Sequence, residues 1–444
     1  MTSAHSQEPQ GPFAERLHDR LESVAPTRRP RALESLGRRI VRDAMSRLRH
    51  GRLRVVEGET TSVFGQAEAP APEVTVRVLD PEFYAAAAFG GSVGIAEAYI
   101  DGAWETDDLA GLVELVTRND EAMEDLEGPM ARALGVFSRG VYWLERNTRA
   151  GSRRNIVAHY DLGNEFFSLF LDPSMTYSCA IFEPGATSLE DAQREKIDRA
   201  CRKLALGPDD RLLEIGTGWG ALALHAATRY GCRVTTTTIS DEQHRLTTAR
   251  VREAGLHDRV TVLACDYRDL PARFAGSFDK LVSIEMIEAV GQAYLGTFFD
   301  VCARCLTPEG TALIQSIVIR DRYFERAASR RDFLKKYIFP GSCLPSVSVM
   351  LEALRSHADL EVTHLESIGP HYATTLRMWR EAFLGRLDDV RRLGYDERFV
   401  RMWEYYLAYC EGAFRAGHVG NVQIVLDKHT RRRRVPAPPG TGGA

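Results

Sequence analysis

The ten residues Arg211-Leu212-Leu213-Glu214-Ile215-Gly216-Thr217-Gly218-Trp219-Gly220 restrict the fold of this chain more than any other stretch. An apolar strand runs directly into a G-x-G-x-G turn and then into a helical run, Ala221 to Tyr230. Glycines at such a turn let the backbone come close to a ligand, and the helix start offers unpaired N–H groups. From about residue 188 the chain alternates between the two periods, with strands predicted at 211–215, 233–239, 259–264, 278–284 and 311–317. That order predicts a doubly wound, Rossmann-like α/β domain with a parallel sheet covered on both faces. Two late apolar segments, 360–366 and 421–427, flank two long aromatic-rich helices and are expected to close the sheet as an antiparallel pair. The third glycine misses the dinucleotide fingerprint by one position, and the strand Val234 to Ile239 ends without an acid to hold a ribose. Nicotinamide cofactors are therefore disfavoured.

A chain of 444 residues suits two domains of unequal size. Residues 1–30 and 431–444 are biased in composition and are expected to be loose tails. Residues 31–120 read as a small α+β unit, 121–149 as a helical connection and 150–430 as the larger catalytic part. The segment from Arg28 to Arg54 is strongly basic, and Leu33, Leu36, Ile40, Ala44, Met45 and Leu48 recur in it at helical spacing. Its apolar stripe either packs on its own domain or approaches a membrane, where the arginines would attract anionic headgroups. A net charge of −4 excludes a uniformly basic nucleic-acid binder, and no apolar run is long enough to span a bilayer. The polar N-terminus carries no secretory signal, and eight cysteines without a paired framework suit a reducing cytoplasm. Cys302 and Cys305 form one C-x-x-C in an apolar helical stretch with no second pair, so no metal site is expected.

Asp266 follows the strand Val260 to Ala264, at the carboxyl edge where doubly wound sheets bind ligands. Together with the glycine loop and Gln243 it resembles the pattern of S-adenosylmethionine-dependent methyltransferases. Longer motifs narrow this. Upstream stand Arg154-Asn155-Ile156-Val157-Ala158-His159-Tyr160-Asp161-Leu162-Gly163-Asn164, and Thr176-Tyr177-Ser178-Cys179-Ala180. Downstream stand Ser283-Ile284-Glu285-Met286-Ile287-Glu288-Ala289-Val290-Gly291, and Lys336-Tyr337-Ile338-Phe339-Pro340-Gly341. Over residues 150–428 the chain resembles the cyclopropane-fatty-acyl-phospholipid synthases and the mycolic-acid cyclopropane synthases.

The resemblance implies transfer of a methylene unit from S-adenosylmethionine to the cis double bond of an unsaturated phospholipid acyl chain. It implies cofactor contacts from Tyr177, Ser178, Glu214, Gly216, Thr217, Gly218, Trp219, Gly220, Thr238, Ile239, Ser240, Gln243, Asp266 and Tyr267. It further implies a bicarbonate ion as proton acceptor, held by Cys179, Glu288, the Ile317 backbone and Tyr337, with His159 in the same catalytic set. Gln315 stands where many members carry a histidine. Glu285 and Glu288 are one helical turn apart, so one of them is expected to face solvent. Cys410, in an aromatic helix, is read as core, since direct transfer needs no nucleophile. A carbocation formed on the chain must be kept from water, and about a quarter of the aromatic residues after the sheet are expected to line an acyl tunnel. Two alternatives stand beside the ring-forming reading: a methyl- or methylene-branched product, and an inactive lipid-binding module. The resemblance also implies peripheral contact with the inner face of the membrane and leaves room for a homodimer.

Overall fold

The computed structural model describes residues 31–67, 70–120, 162–330 and 332–428. The expected tails, the helical connection at 121–149 and the motif at 154–161 with His159 lie outside the described residues.

The N-terminal unit is a four-stranded sheet with three helices. Helix α1 (Arg31–Ser46) precedes β1 (Gly51–Glu57), β2 (Thr60–Gln66) and β3 (Glu73–Val78). Helix α2 (Glu82–Ile100), β4 (Trp104–Thr106) and α3 (Leu109–Arg118) complete it. The strand order is β2-β1-β3-β4, with β1 and β3 parallel and the outer pairs antiparallel. Along α1 the buried face is Val41, Ala44, Met45 and Leu48, while Leu36 stays exposed. The stripe is rotated from the expected one because α1 meets α2 at Gly37, where an added Cβ would lie 2.6 Å from the Tyr84 carbonyl oxygen. The apolar side of the basic helix therefore packs on its own unit.

The larger unit is doubly wound. Helix α4 (Leu189–Lys203) leads into β5 (Arg211–Ile215), α5 (Ala221–His225), β6 (Arg233–Thr238), α6 (Asp241–Glu253), β7 (Val260–Ala264) and β8 (Phe278–Ile284). Helix α7 (Leu295–Cys305) carries the buried Cys302 and Cys305 and runs directly into β9 (Leu306–Ile319). Helix α8 (Val347–His357), β10 (Leu360–Ser367), α9 (Gly369–Leu384), α10 (Glu397–Arg415) and β11 (Val419–Lys428) follow. The seven strands lie in the order β10-β11-β9-β8-β5-β6-β7. Strands β5 to β9 are parallel to their neighbours, and β11 is antiparallel to both β9 and β10. All seven strands thus fall where the residue periods put them, and the late pair closes the sheet with β11 inserted inside the edge. The register places Gln423 opposite Gln315 and Asn421 opposite Ile317.

Helix α10 joins the two units. Tyr99 donates its hydroxyl to Glu404 at 2.9 Å, Arg401 donates to the Tyr99 carbonyl at 2.6 Å, and Arg398 pairs with Asp101 at 2.7 Å. At Gly412 the helix lies so close to α3 that an added Cβ would sit 2.5 Å from the Ala110 oxygen and 2.6 Å from the Val113 Cβ. A Gly412→Ala substitution must push the two helices apart, and overpacking of this kind costs about 1–3 kcal/mol. Denaturant unfolding should show a lowered midpoint; an unchanged midpoint would mean that the helices do not hold this contact in solution.

Candidate active site

The carboxyl ends of β5, β6, β7 and β8 open on a cavity of about 440 Å³. The chain reversal after β5 forms its floor, with Gly216, Gly218 and Gly220 at φ 99°, 52° and 89°. A Cβ added at Gly218 would meet nothing within 4 Å, so the bare backbone faces open space. Beside it the buried Thr217 Oγ1 and Tyr267 hydroxyl have no protein partner. A cradle without side chains, rimmed by polar atoms awaiting a partner, fits an adenosyl cofactor laid across the loop. Tyr177, Ser178, Glu214, Gly216, Thr217, Gly218, Trp219, Thr238, Ile239, Gln243, Asp266 and Tyr267 all line the cavity. Gly220 and Ser240 serve the scaffold instead. Gly220 caps α5 against Thr247, and the Ser240 hydroxyl accepts the Gln243 N–H at the start of α6.

Several of these side chains are already fixed. Asp266 accepts from the Arg268 side chain at 2.8 and 2.5 Å, and also from the Arg268 N–H. Thr238 donates to Gln243 Oε1 at 2.8 Å, the Tyr177 and Tyr406 hydroxyls lie 2.7 Å apart, and Trp219 donates to Asn164 at 2.7 Å. Lys196, which sequence reasoning passed over, lies buried on α4 and donates to the Ser178 hydroxyl at 2.6 Å. Burial lowers the Lys196 ammonium. Burial also pushes the Glu214 carboxyl up to about 8, against the opposing effects of the Thr236 hydroxyl and Lys196.

Deeper in the cavity four donors converge on one side chain. Glu285 Oε1 accepts from the Cys179 N–H at 3.0 Å, the Gln315 amide at 2.8 Å and the Asn421 amide at 2.6 Å. Its Oε2 accepts from the Tyr372 hydroxyl at 2.6 Å. Glu285 sits immediately past β8 at φ 50°, a left-handed conformation that costs a non-glycine residue about 1–2 kcal/mol. Its own N–H donates to the Gln315 carbonyl at 2.8 Å, which holds that turn in place. The turn is not helical, so the expectation that one of the two glutamates faces solvent does not hold: both line the cavity.

Glu288 Oε1 accepts from the Ile317 N–H at 2.5 Å and from Ser316 at 3.1 Å, while its buried Oε2 has no protein partner. Burial, reinforced by the charge of Glu285, pushes Glu288 up to about 8, so it holds a proton at neutral pH and is a donor there. Gln315 also accepts from Gln423 at 2.9 Å, an arrangement that the inserted strand β11 makes. Cys179 contributes its backbone. Its thiol is fully buried, raised well above the ordinary thiol range by burial, and donates to the Ala180 carbonyl at 3.2 Å.

Tyr337 is a correction. It lies on a five-residue π turn at Leu334–Ile338 whose polar side faces the N-terminal unit, and its hydroxyl donates to Glu97 at 2.6 Å. Lys336 pairs with the same carboxylate. The tyrosine that reaches the site is Tyr372 on α9. The donors expected to hold bicarbonate thus all have carboxylate partners within the protein: Cys179 and Gln315 on Glu285, Ile317 on Glu288, and Tyr337 on Glu97. The residues present do not fit that ion.

Beyond this cage the cavity becomes apolar and aromatic, walled by Phe339, Leu376, Tyr406, Tyr409, Ala413 and Phe414. Of the aromatic residues expected for a tunnel, Phe339, Tyr406 and Tyr409 line it, and Phe333, Phe383, Trp403 and Tyr405 pack in the core. Cys410 also lines the cavity, its thiol raised by burial and unsuited to nucleophilic attack. A larger hollow of about 690 Å³ at Ser46–His50, Thr117–Asp120 and Arg322–Tyr323 lies away from these groups.

Two outcomes follow from this geometry. Gly218→Val fills the cradle and should abolish S-adenosylmethionine binding measured by calorimetry; retained affinity would remove the cofactor from this loop. Glu214 keeps its proton in the folded state where the unfolded chain, with an ordinary value of 4.5, has lost it. Folded wild type binds more protons there, so its stability falls as pH rises from about 4.5 to about 8. Relative to wild type, Glu214→Gln should gain at up to about 1.4 kcal/mol per pH unit across that window and then level off. Parallel stability profiles would show that Glu214 ionises normally.

Residues 147–424 match the family model described as mycolic acid cyclopropane synthetase. The tuberculostearic acid methyltransferase of Mycobacterium tuberculosis is 36% identical over 397 residues, covering 85% of this chain and 88% of that protein. The cyclopropane-fatty-acyl-phospholipid synthase of Escherichia coli K12 is 38% identical over 376 residues, covering 84% and 93%. A solved mycolic acid cyclopropane synthase in complex with SAH and CTAB superposes with a TM-score of 0.57 at 32% identity, covering 62% of this chain and 98% of that one. With the glycine cradle and the cavity it opens on, these matches place the chain in the mycolic acid cyclopropane synthetase family, as an S-adenosylmethionine-dependent methyltransferase.

Proposed function

We propose that the protein methylates the cis double bond of unsaturated acyl chains in membrane phospholipids and that the product is a cyclopropane. The observation that carries this reading is the continuity of one cavity, from the glycine cradle through a polar cage to an aromatic, apolar end. S-adenosylmethionine supplies an electrophilic methyl group. An alkene is a weak nucleophile, so the protein's contribution is to hold the two partners in line, and fixed placement can contribute about 7–11 kcal/mol. Tyr406, Tyr409, Phe339 and Phe414 keep water from the cationic carbon and offer π faces to it. Proton loss from the transferred carbon then closes the ring.

The substrate lies in a bilayer, and among the described residues no helix is long and apolar enough to cross one. Because α1 buries its apolar stripe, its approach to lipid is electrostatic, through the exposed Arg39, Arg42, Arg47 and Arg49. Each arginine near an anionic surface contributes up to about 1 kcal/mol, screened by salt. A branched product is the second reading, favoured by the relative named for tuberculostearic acid methyl transfer.

Labelled S-adenosylmethionine and vesicles of unsaturated anionic phospholipid test both parts. Mass spectrometry should find label in the acyl chains, less of it at high salt, and proton NMR of the product should show cyclopropane signals upfield of all other acyl protons. Olefinic signals without the upfield ones would replace the ring by a methylene branch. Unlabelled chains would defeat both readings, and salt-independent turnover would remove α1 as the anchor.

A further inference from the structure

We propose that Glu285 is the base of this reaction, an internal carboxylate that takes the place of a bound bicarbonate ion. The inference rests on the methyl-transfer reading above. The cage around Glu285 has the form of an oxyanion site: two side-chain amides, a backbone N–H and a phenol converge from four separate elements. The oxyanion they receive belongs to the chain itself. The two oxygens of a carboxylate offer about four lone-pair positions. Three donors crowd Oε1 and one reaches Oε2, so Oε2 keeps a further acceptor position in the cavity.

The strained backbone supports the same assignment. At φ 50° a glycine would be the unstrained choice, and glutamate is retained there with its side chain turned into the cavity. Gln315 is matched to this partner. It is a neutral donor that cannot ionise, tethered by Gln423 so that its NH2 points at Glu285. Glu288, protonated beside it, adds no second negative charge to the cage.

In the step itself the alkene π pair forms the bond to the methyl carbon while sulfur keeps the departing pair, which leaves the neighbouring chain carbon cationic. Oε2 of Glu285 takes a proton from the transferred carbon, and the released C–H pair closes the third bond of the ring. The products are the cyclopropane, a neutral thioether and protonated Glu285, which loses its proton to water when the product leaves. A proton next to a carbocation is strongly acidic, so the position of the base matters more than its strength.

The test assays labelling of unsaturated phospholipid vesicles by wild type, Glu285→Gln and Glu285→Gly, in carbonate-stripped buffer and with added bicarbonate or formate. Wild type should turn over equally with and without bicarbonate. Glu285→Gln should lose about 100-fold or more in turnover while its S-adenosylmethionine affinity by calorimetry stays within a few-fold of wild type. Glu285→Gly leaves the four donors unmatched and should recover activity when either small carboxylate is supplied, which also shows that it folds. Wild-type labelling that requires bicarbonate, or full turnover by Glu285→Gln, overturns the assignment of the base and leaves the methyltransferase reading standing. Wild type that labels no acyl chain under any condition overturns the methyl-transfer reading, and this inference with it.

Discussion

A carboxylate set in an otherwise apolar cavity must find its hydrogen bonds within the protein, and around Glu285 that requirement organises the architecture. Its four donors come from the loop before α4, from β9, from β11 and from α9. The insertion of β11 between β9 and β10 brings Asn421 and Gln423 into register with the strand that carries Gln315. With β11 at the sheet's outer edge, neither amide would reach the cage. The antiparallel strand therefore serves the chemistry as well as the closure of the sheet.

The two buried glutamates divide the work by environment. Glu285 is surrounded by donors, whereas Glu288 sits deeper, with burial and its neighbour's charge both favouring the neutral form. Two carboxyl groups three residues apart thus present an acceptor and a donor side by side. Glu214, under the glycine loop, is held in the same neutral manner by burial. The cofactor end of the cavity is consequently less negative than its sequence suggests.

Much of this was legible in the residue pattern. The strand-to-glycine turn, the alternation of periods and the late antiparallel pair follow from local rules, and the cofactor contacts follow from the carboxyl edge of the sheet. The rest depended on which way a local feature points. Tyr337 was expected in the site, yet a π turn carries it and Lys336 toward Glu97, and no periodicity distinguishes the two faces of such a turn. Glu285 was weighed as half of a helical pair, although the rule that singled out Asp266, a carboxylate just past a strand's carboxyl end, applies to it equally. Lys196, Tyr372 and Asn421 are contributed by elements far apart in the chain, and only packing brings them together. The stripe of α1 was read one position out because a close approach at Gly37, invisible in a hydrophobic pattern, sets the rotation of the helix.

Helix α10 is gripped by the N-terminal unit along one side, through Arg398, Arg401, Glu404 and Gly412, and walls the cavity along the other, through Tyr406, Tyr409, Ala413 and Phe414. A helix is stiff along its axis, so the two sides cannot move independently. It works as a lever whose handle lies outside the cavity: a tilt of the small unit against the large one becomes a change in the bore of the apolar passage. The unit that carries the basic helix is therefore mechanically geared to the width of the space in which a chain would have to lie.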